Sequence, residues 1–303
     1  MGIRVIGVGE VLWDLLPSGR QMGGAPANFT CHARSLGATA TLVSRVGSDA
    51  LGQEILERLQ SLGVVTEAVG VDPLLPTGTV AVDLSADGQP RFVIRPDVAW
   101  DVMEAAEPAL RAAETCDAIC FGTLALRSKP SREAILQIIE CAPHSALRVL
   151  DINMRPPFVD KETISEALSR ADVLKLNDDE LSVLAEMFGL SEQSMAGRLA
   201  ELTDRFSLRL IALTRGAAGS VLWPAEGRLS EHPGFRVDLV DAVGAGDSFT
   251  AAMILGYFRG WGLDQINARA NEVAAYVCSQ DGATPPLPPA MVATWAKATD
   301  ASK

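Results

Sequence analysis

From about residue 104 onward, short aliphatic runs alternate with amphipathic stretches in a regular rhythm. The runs at 118–121, 148–152, 173–176 and 208–213 are dominated by Val, Ile, Leu and Ala. Near-continuous apolar strands of this kind are buried on both faces. With a helix-length segment between each pair, they predict βαβ units, hence a mostly parallel sheet with helices on both sides. The first third adds Arg4-Val5-Ile6-Gly7-Val8 as a buried strand, helices at 25–36 and 51–62, and a strand between them at 40–46. Segments 79–84 and 91–95 alternate apolar and polar residues around Asp87-Gly88, a hairpin signal. Strands at 220–223 and 228–231 and helices at 245–258 and 264–279 complete the pattern. The Pro-rich run from Gly282 to Pro289 is expected to end it and leave a polar tail. The expectation is one α/β domain over 1–303, with a small β-sheet lid built from about 11–16 and 77–100.

Composition supports a packed core: 48% of the 303 residues are hydrophobic, and the mean hydropathy is +0.18. A formal charge of −12 argues against a nucleic-acid surface, which needs Lys and Arg in excess. The apolar N-terminus is interrupted by Arg4, Glu10 and Asp14, unlike a signal peptide. The longest apolar stretch, near 251–258, is too short to span a bilayer. Cys31, Cys116, Cys120, Cys141 and Cys278 form no C-x-x-C pair, and the chain has three histidines. Reduced thiols, no zinc site and a cytoplasmic location are expected.

The most informative motif is Asp241-Ala242-Val243-Gly244-Ala245-Gly246-Asp247-Ser248-Phe249-Thr250. Gly244, Ala245 and Gly246 leave backbone N–H groups uncovered at the start of a helix, where free donors and the helix dipole both favour an anion. Asp247 lies at the mouth of that cradle. An anion site beside a carboxylate base is what phosphoryl transfer to a hydroxyl requires. The helix start is also expected to favour the anionic form of Asp247. A capped helix after a tight turn would explain a lone G-x-G-D equally well. Other strand ends carry polar residues or glycines too. Asn153 and Arg155 follow the run at 148–152, Asn177 and Glu180 that at 173–176, and Thr214, Gly216 and Gly219 that at 208–213.

Ligands of open parallel sheets bind at this edge, although a helix cap explains Asn177 and Glu180, and an ordinary turn the glycines, when each is taken alone. A second cluster comes from Asp14, from Gly24 and Asn28 in Gly23-Gly24-Ala25-Pro26-Ala27-Asn28, and from Gly47-Ser48-Asp49-x-x-Gly52. Asp and Asn side chains suit a polyhydroxylated ligand, and are also common turn and cap residues. Gly7-x-Gly9 lacks the third glycine of a dinucleotide fingerprint, position 12 being Leu, and no Walker G-x-x-x-x-G-K-[ST] occurs.

These motifs resemble those of the ribokinase-like (PfkB) carbohydrate kinases over nearly the full chain: residues 23–28 and 47–52 the N-terminal motif, 241–247 the more specific C-terminal one. Within the family the chain is most similar to fructokinases, through Gly9-Glu10-Val11-Leu12-Trp13-Asp14, residues 24–28, Asp151-x-Asn153-x-Arg155 and Gly282-Ala283-Thr284-Pro285. The resemblance implies a ribokinase-like fold and ATP-dependent phosphorylation of a sugar, D-fructose at O6 first among candidates. A 2-keto-3-deoxygluconate kinase, a ribokinase, a nucleoside kinase and a non-catalytic sugar or nucleotide sensor are the alternatives. It implies Asp247 as base, with Gly244, Ala245 and Gly246 holding the transferring phosphoryl group. Asp14, Gly24, Asn28, Arg95 and Arg155 would bind substrate. Asn177, Glu180, Thr214, Gly216, Gly219 and Asn271 would bind ATP, Glu180 positioning Mg²⁺ through water. Asp241 and Gly282 would flank a monovalent cation such as K⁺. Partners would be the sugar and ATP, with neither nucleic acid nor membrane, in a monomer or a homodimer formed through the lid. Two departures stand out: Ala242-Val243 replace two hydroxyl residues, and Pro286 replaces a Ser that some relatives carry near the cation.

Overall fold

Two sheets, one large and one small, are separated by the way their strands are covered. The computed structural model describes residues 2–16, 19–84, 90–158 and 160–297. Its first third contains β1 (Arg4–Val8), β2 (Leu12–Leu16), β3 (Gly19–Gly23), α1 (Ala25–Ser35), β4 (Thr39–Gly47), α2 (Ala50–Ser61), β5 (Val69–Asp72), β6 (Gly78–Leu84) and β7 (Pro90–Ile94). Next come α3 (Glu107–Glu114), β8 (Ala118–Phe121), α4 (Lys129–Cys141), β9 (Leu147–Asp151), α5 (Lys161–Leu168), β10 (Val173–Asn177), α6 (Asp178–Phe188) and α7 (Met195–Phe206). β11 (Leu210–Thr214), β12 (Ser220–Pro224), β13 (Ser230–His232), α8 (Ala245–Phe258), α9 (Leu263–Cys278) and α10 (Pro289–Lys297) follow.

The large sheet has the order β13-β12-β11-β10-β9-β8-β1-β4-β5. It is parallel from β11 to β5 and antiparallel at β12 and β13. Strand alternation divides its side chains between two cores. Ile6, Ile119, Leu150, Leu174 and Ile211 face the layer that contains α3 to α7. Val5, Ala118, Val149, Val173 and Ala212 face α1, α8, α9 and α10. α8 is buried on every side from Asp247 to Gly256, as befits a helix that is apolar all round.

The small sheet, β3-β2-β6-β7, stands apart. β6 and β7 pair antiparallel as the alternation predicts, while the Asp87-Gly88 tip lies outside the described residues. β3 was not anticipated, because Gly19-Arg20-Gln21-Met22-Gly23 has little strand propensity. Pairing with β2 supplies what local preference lacks. β5 is likewise too short to announce itself.

The expected polar tail is corrected at the other end. Pro289 opens α10, where its fixed φ suits a first helical turn. The helix brings Trp295 into the core at 1% exposure, its ring 4.8 Å from that of Trp261. The Arg259 guanidinium covers the same ring at 5.3 Å, and its Nε donates to the Trp295 carbonyl. Deleting a buried Trp side chain leaves a cavity that surrounding atoms fill only in part. Trp295→Ala should therefore cost about 3–5 kcal/mol in urea unfolding; a loss below about 0.5 kcal/mol would show α10 to be a dispensable appendage.

Candidate active site

Helices α1 and α8 pack side by side, and their N-termini reach the same edge of the large sheet. Gly244 caps α8 with φ 78°, a left-handed conformation that a side chain resists. In the first turn the N–H groups of Gly246 and Asp247 have no preceding helix carbonyl to reach, while Ala245 N makes only a long bond of 3.4 Å to the Ala242 carbonyl. Asp247 is 8% exposed. Its Oδ2 accepts a hydrogen bond of 2.8 Å from Asn28 Nδ2 on α1. Gly24 caps α1, and Asn28 lies one turn in. The two motifs, far apart in the chain, thus meet at one pair of atoms.

Beneath them lies a buried charge array. Lys175 Nζ donates to Asp151 Oδ1 at 2.9 Å, and Thr250 Oγ1 donates to Asp151 Oδ2 at 3.0 Å. A Cβ placed on Gly246 would fall 2.8 Å from Lys175 Nζ, so the ammonium lies directly under the α8 cradle. Burial works against its charge, but Asp151, Glu180 and Asp247 outweigh that and hold its pKa above the ordinary value. Burial, aided by Asp151, raises the Asp247 carboxyl from 3.8 to about 6, against the pull of Lys175, Asn28 and Arg155. The helix start was expected to favour the anionic form of this group. That effect is worth about 0.3–2 kcal/mol, and the cost of removing a buried carboxylate from water exceeds it. Desolvation wins, and the group still ionises by pH 7.

Two further carboxyls share this field. Asp14 lies within β2, in the expected lid segment, opposite Gln21 of β3. Burial raises it to about 6, with Arg155 opposing and Asp241 reinforcing the shift. Glu10 is 2% exposed. Its Oε1 accepts from Ala25 N at the start of α1, at 3.2 Å, and its Oε2 has no protein partner. Burial pushes Glu10 up to about 7, while hydrogen bonds from its own and the Ala25 backbone, and the Arg155 charge, pull the other way. Arg155 is exposed and acts on Asp14, Glu10 and Asp247 together.

The other strand-end residues are placed more variously. Asn177 and Glu180 form a reciprocal cap on α6. Glu180 Oε2 accepts from Asn177 N and Oε1 from Met154 N, so both oxygens already hold backbone groups. Thr214 lies beside Asn177 in register. Gly216 faces open space, whereas a Cβ on Gly219 would strike the His232 carbonyl at 2.0 Å; that glycine is required by the fold. Asp241 bridges two loops, accepting from Val243 N at 3.0 Å and Gly282 N at 3.3 Å.

Two residues make contacts of another kind. Asn271, expected near a nucleotide base, donates its amide to Ser220, the β12 partner of Thr214, and to Asn267. Arg95 ends the small sheet, exposed, and its carbonyl accepts from Arg127. Conversely, Asp151, Lys175 and Glu10 belong to the centre and were not singled out as site residues. A lysine inside Val173-Leu-Lys-Leu was the available signal, because strand alternation turns it to the same side as Val173, under α8.

Comparison with known proteins identifies the family. The profile of the pfkB family of carbohydrate kinases matches residues 19–290. A fructokinase of Salmonella typhimurium is 31% identical over 267 residues, covering 84% of each chain. The crystal structure of a sugar kinase from Pyrococcus horikoshii in complex with ATP superposes with a TM-score of 0.79 at 28% identity, covering 92% of this chain and 94% of that one. A fructokinase from Xylella fastidiosa with bound ATP gives 0.84 at 21% identity over 99% and 100% of the two chains. The chain belongs to the PfkB family and is a sugar kinase of ribokinase-like fold.

Glu10 offers a test that needs no activity. Its carboxyl binds a proton more readily in the folded protein than in the unfolded chain. Its contribution to stability is therefore full below about 4.5 and is lost as pH rises to about 7. Glu10→Gln cannot ionise, so its stability relative to wild type should climb across that window by on the order of 3 kcal/mol and then level off. Urea unfolding at pH 4.5, 6, 7 and 8 measures it; a pH-independent difference would contradict the assignment.

Proposed function

We propose that this protein transfers the γ-phosphoryl group of ATP to a sugar hydroxyl, and that the sugar is D-fructose, taken at O6. The observation that carries this reading is the 2.8 Å hydrogen bond between Asn28 and Asp247, 219 residues apart. It joins the half of the chain with hydroxyl-binding residue types to the half with the anion cradle. In this reading Asp14, Gly24 and Asn28 hold the sugar, and the small sheet closes over it as a lid, excluding water. Asp247 accepts the hydroxyl proton as the oxygen attacks the γ-phosphorus and ADP leaves. The N–H groups of Gly244, Ala245 and Gly246 stabilise charge on the phosphoryl oxygens. Lys175 adds a positive charge beneath them.

The nucleotide phosphates would lie along Asn177, Thr214, Gly216 and Gly219. No cluster of three or more His, Cys, Asp or Glu ligands occurs among the described residues. Mg²⁺ keeps several waters and takes phosphate oxygens, and Glu180 would reach it through water. When bound, the ion would neutralise phosphate charge. A monovalent cation beside Asp241 and Gly282 belongs to the same proposal, and KCl in place of choline chloride should then raise the rate.

The similarity to the Salmonella fructokinase favours fructose. Arg155 supports a second reading, an acidic sugar such as 2-keto-3-deoxygluconate, since its exposed cation acts on three carboxyls of the site and could pair with a fourth. Coupled ADP release with fructose, 2-keto-3-deoxygluconate, ribose and a nucleoside separates these. Asp247→Ala should lose about 10²–10⁴-fold in rate; equal turnover by the variant would sink the base assignment. Sugar binding without turnover of any substrate would favour a sensor.

The pH profile adds a second test. Asp247 must be ionised to accept a proton, so kcat/KM should fall below about pH 6. The Asn28 amide favours the ionised form, and removing it raises the carboxyl further. Asn28→Ala should therefore shift the acid limb to higher pH; an unmoved limb would separate Asn28 from the base.

A further inference from the structure

Four residues after Asn28, on the same face of α1, stands His32. It is 1% exposed, and no step above uses it. Its Nε2 lies 2.9 Å from the Ala283 carbonyl oxygen. A carbonyl only accepts, so Nε2 carries the proton. Burial lowers the ring to about 4, opposed by this hydrogen bond, and the imidazole is neutral at physiological pH.

Ala283 is itself buried, at 3% exposure, and its peptide rests against the α8 cap. A Cβ on Gly244 would fall 2.2 Å from Ala283 O and 2.8 Å from its carbonyl carbon. The peptide is wedged between the imidazole and the first residue of the anion cradle. Grooves of about 400 Å³ and 320 Å³ flank the stretch from Gly282 to Pro286. Hydrogen bonds anchor it: Gly282 N to Asp241, Tyr276 Oη to the Pro286 carbonyl, and His32 to Ala283. Of these, His32 is the one rooted in the helix that also grips Asp247.

We infer that His32 is a positioning residue for phosphoryl transfer: its Nε2–H fixes the Ala283 peptide, which sets the left-handed Gly244 cap and hence the aim of the α8 N–H groups. α1 would then orient the base through Asn28 and the anion hole through His32. The inference rests on the kinase reading, since the donors matter only if charge develops before them. Preorganised donors lose their effect when displaced by about 1 Å.

The test compares His32→Leu, which keeps bulk and loses the donor, with His32→Gln, whose Nε2 stands where the imidazole Nε2 stood. In the full-length enzyme at pH 8, His32→Leu should lower kcat by about 10–100-fold with sugar and ATP KM values within about threefold. His32→Gln should recover kcat to within about threefold of wild type. Amide exchange over 242–248 and 282–284 should rise about tenfold or more in the Leu variant and not in the Gln variant. Unchanged kcat and exchange in His32→Leu, or equal loss in both variants, would overturn the inference. Should the Leu variant fail to fold, His32→Asn, too short to reach Ala283, replaces it with the same two outcomes. Wild-type protein that releases no ADP with any sugar overturns the kinase reading instead, and the exchange comparison then decides the role of His32 alone.

Discussion

The packing of α8 between α1, α9 and the large sheet is the constraint on which the rest of the structure depends. An apolar helix with no solvent face has one way to lie, and its N-terminus must then emerge at the strand ends. α1 packs along it, which brings Asn28 to Asp247 across 219 residues of chain. Neither helix alone makes a site. A shift of either by a fraction of a turn would separate the base from its orienting amide and the cradle from the lysine beneath it.

At the carboxyls Asp247, Asp14 and Glu10, electrostatics is a contest that burial wins. A helix N-terminus stabilises an anion modestly, whereas removing a carboxylate from water costs several kcal/mol unless partners repay it. Asp247 therefore titrates near 6, Asp14 near 6 and Glu10 near 7. The buried Lys175–Asp151 pair keeps a positive charge under the cradle, and Thr250 takes the second Asp151 oxygen. Carboxyls poised close to neutrality suit a base that must hold a proton briefly and release it.

Much of this was legible in the chain. The βαβ rhythm predicted the parallel sheet because two-sided burial leaves nearly uninterrupted apolar strands, and the glycines of 244–246 marked the helix start within one residue. Asn177 and Glu180 stood at a strand end as expected, and their spacing of three was also that of a helix cap, which is how the structure uses them. β3 and α10 were missed for a shared reason: each is stabilised by contacts distant in sequence, β3 by its ladder with β2 and α10 by Trp295 against Trp261. Asn271, expected near a nucleotide base, also donates to the buried Ser220 hydroxyl of β12 and to Asn267, contacts that no local pattern announced.

By itself the sequence determined the fold class, the order of its elements and the residue types needed for an anion cradle and a base, because periodicity and glycine placement are local properties. Tertiary structure alone decided which of those residues meet. It set Lys175 and Asp151 beneath Gly246, brought Glu10 and Asp14 within the field of Arg155, and made His32 a neighbour of the Ala283 peptide. Distances and desolvation are properties of assembled layers, and no local pattern in the chain encodes them.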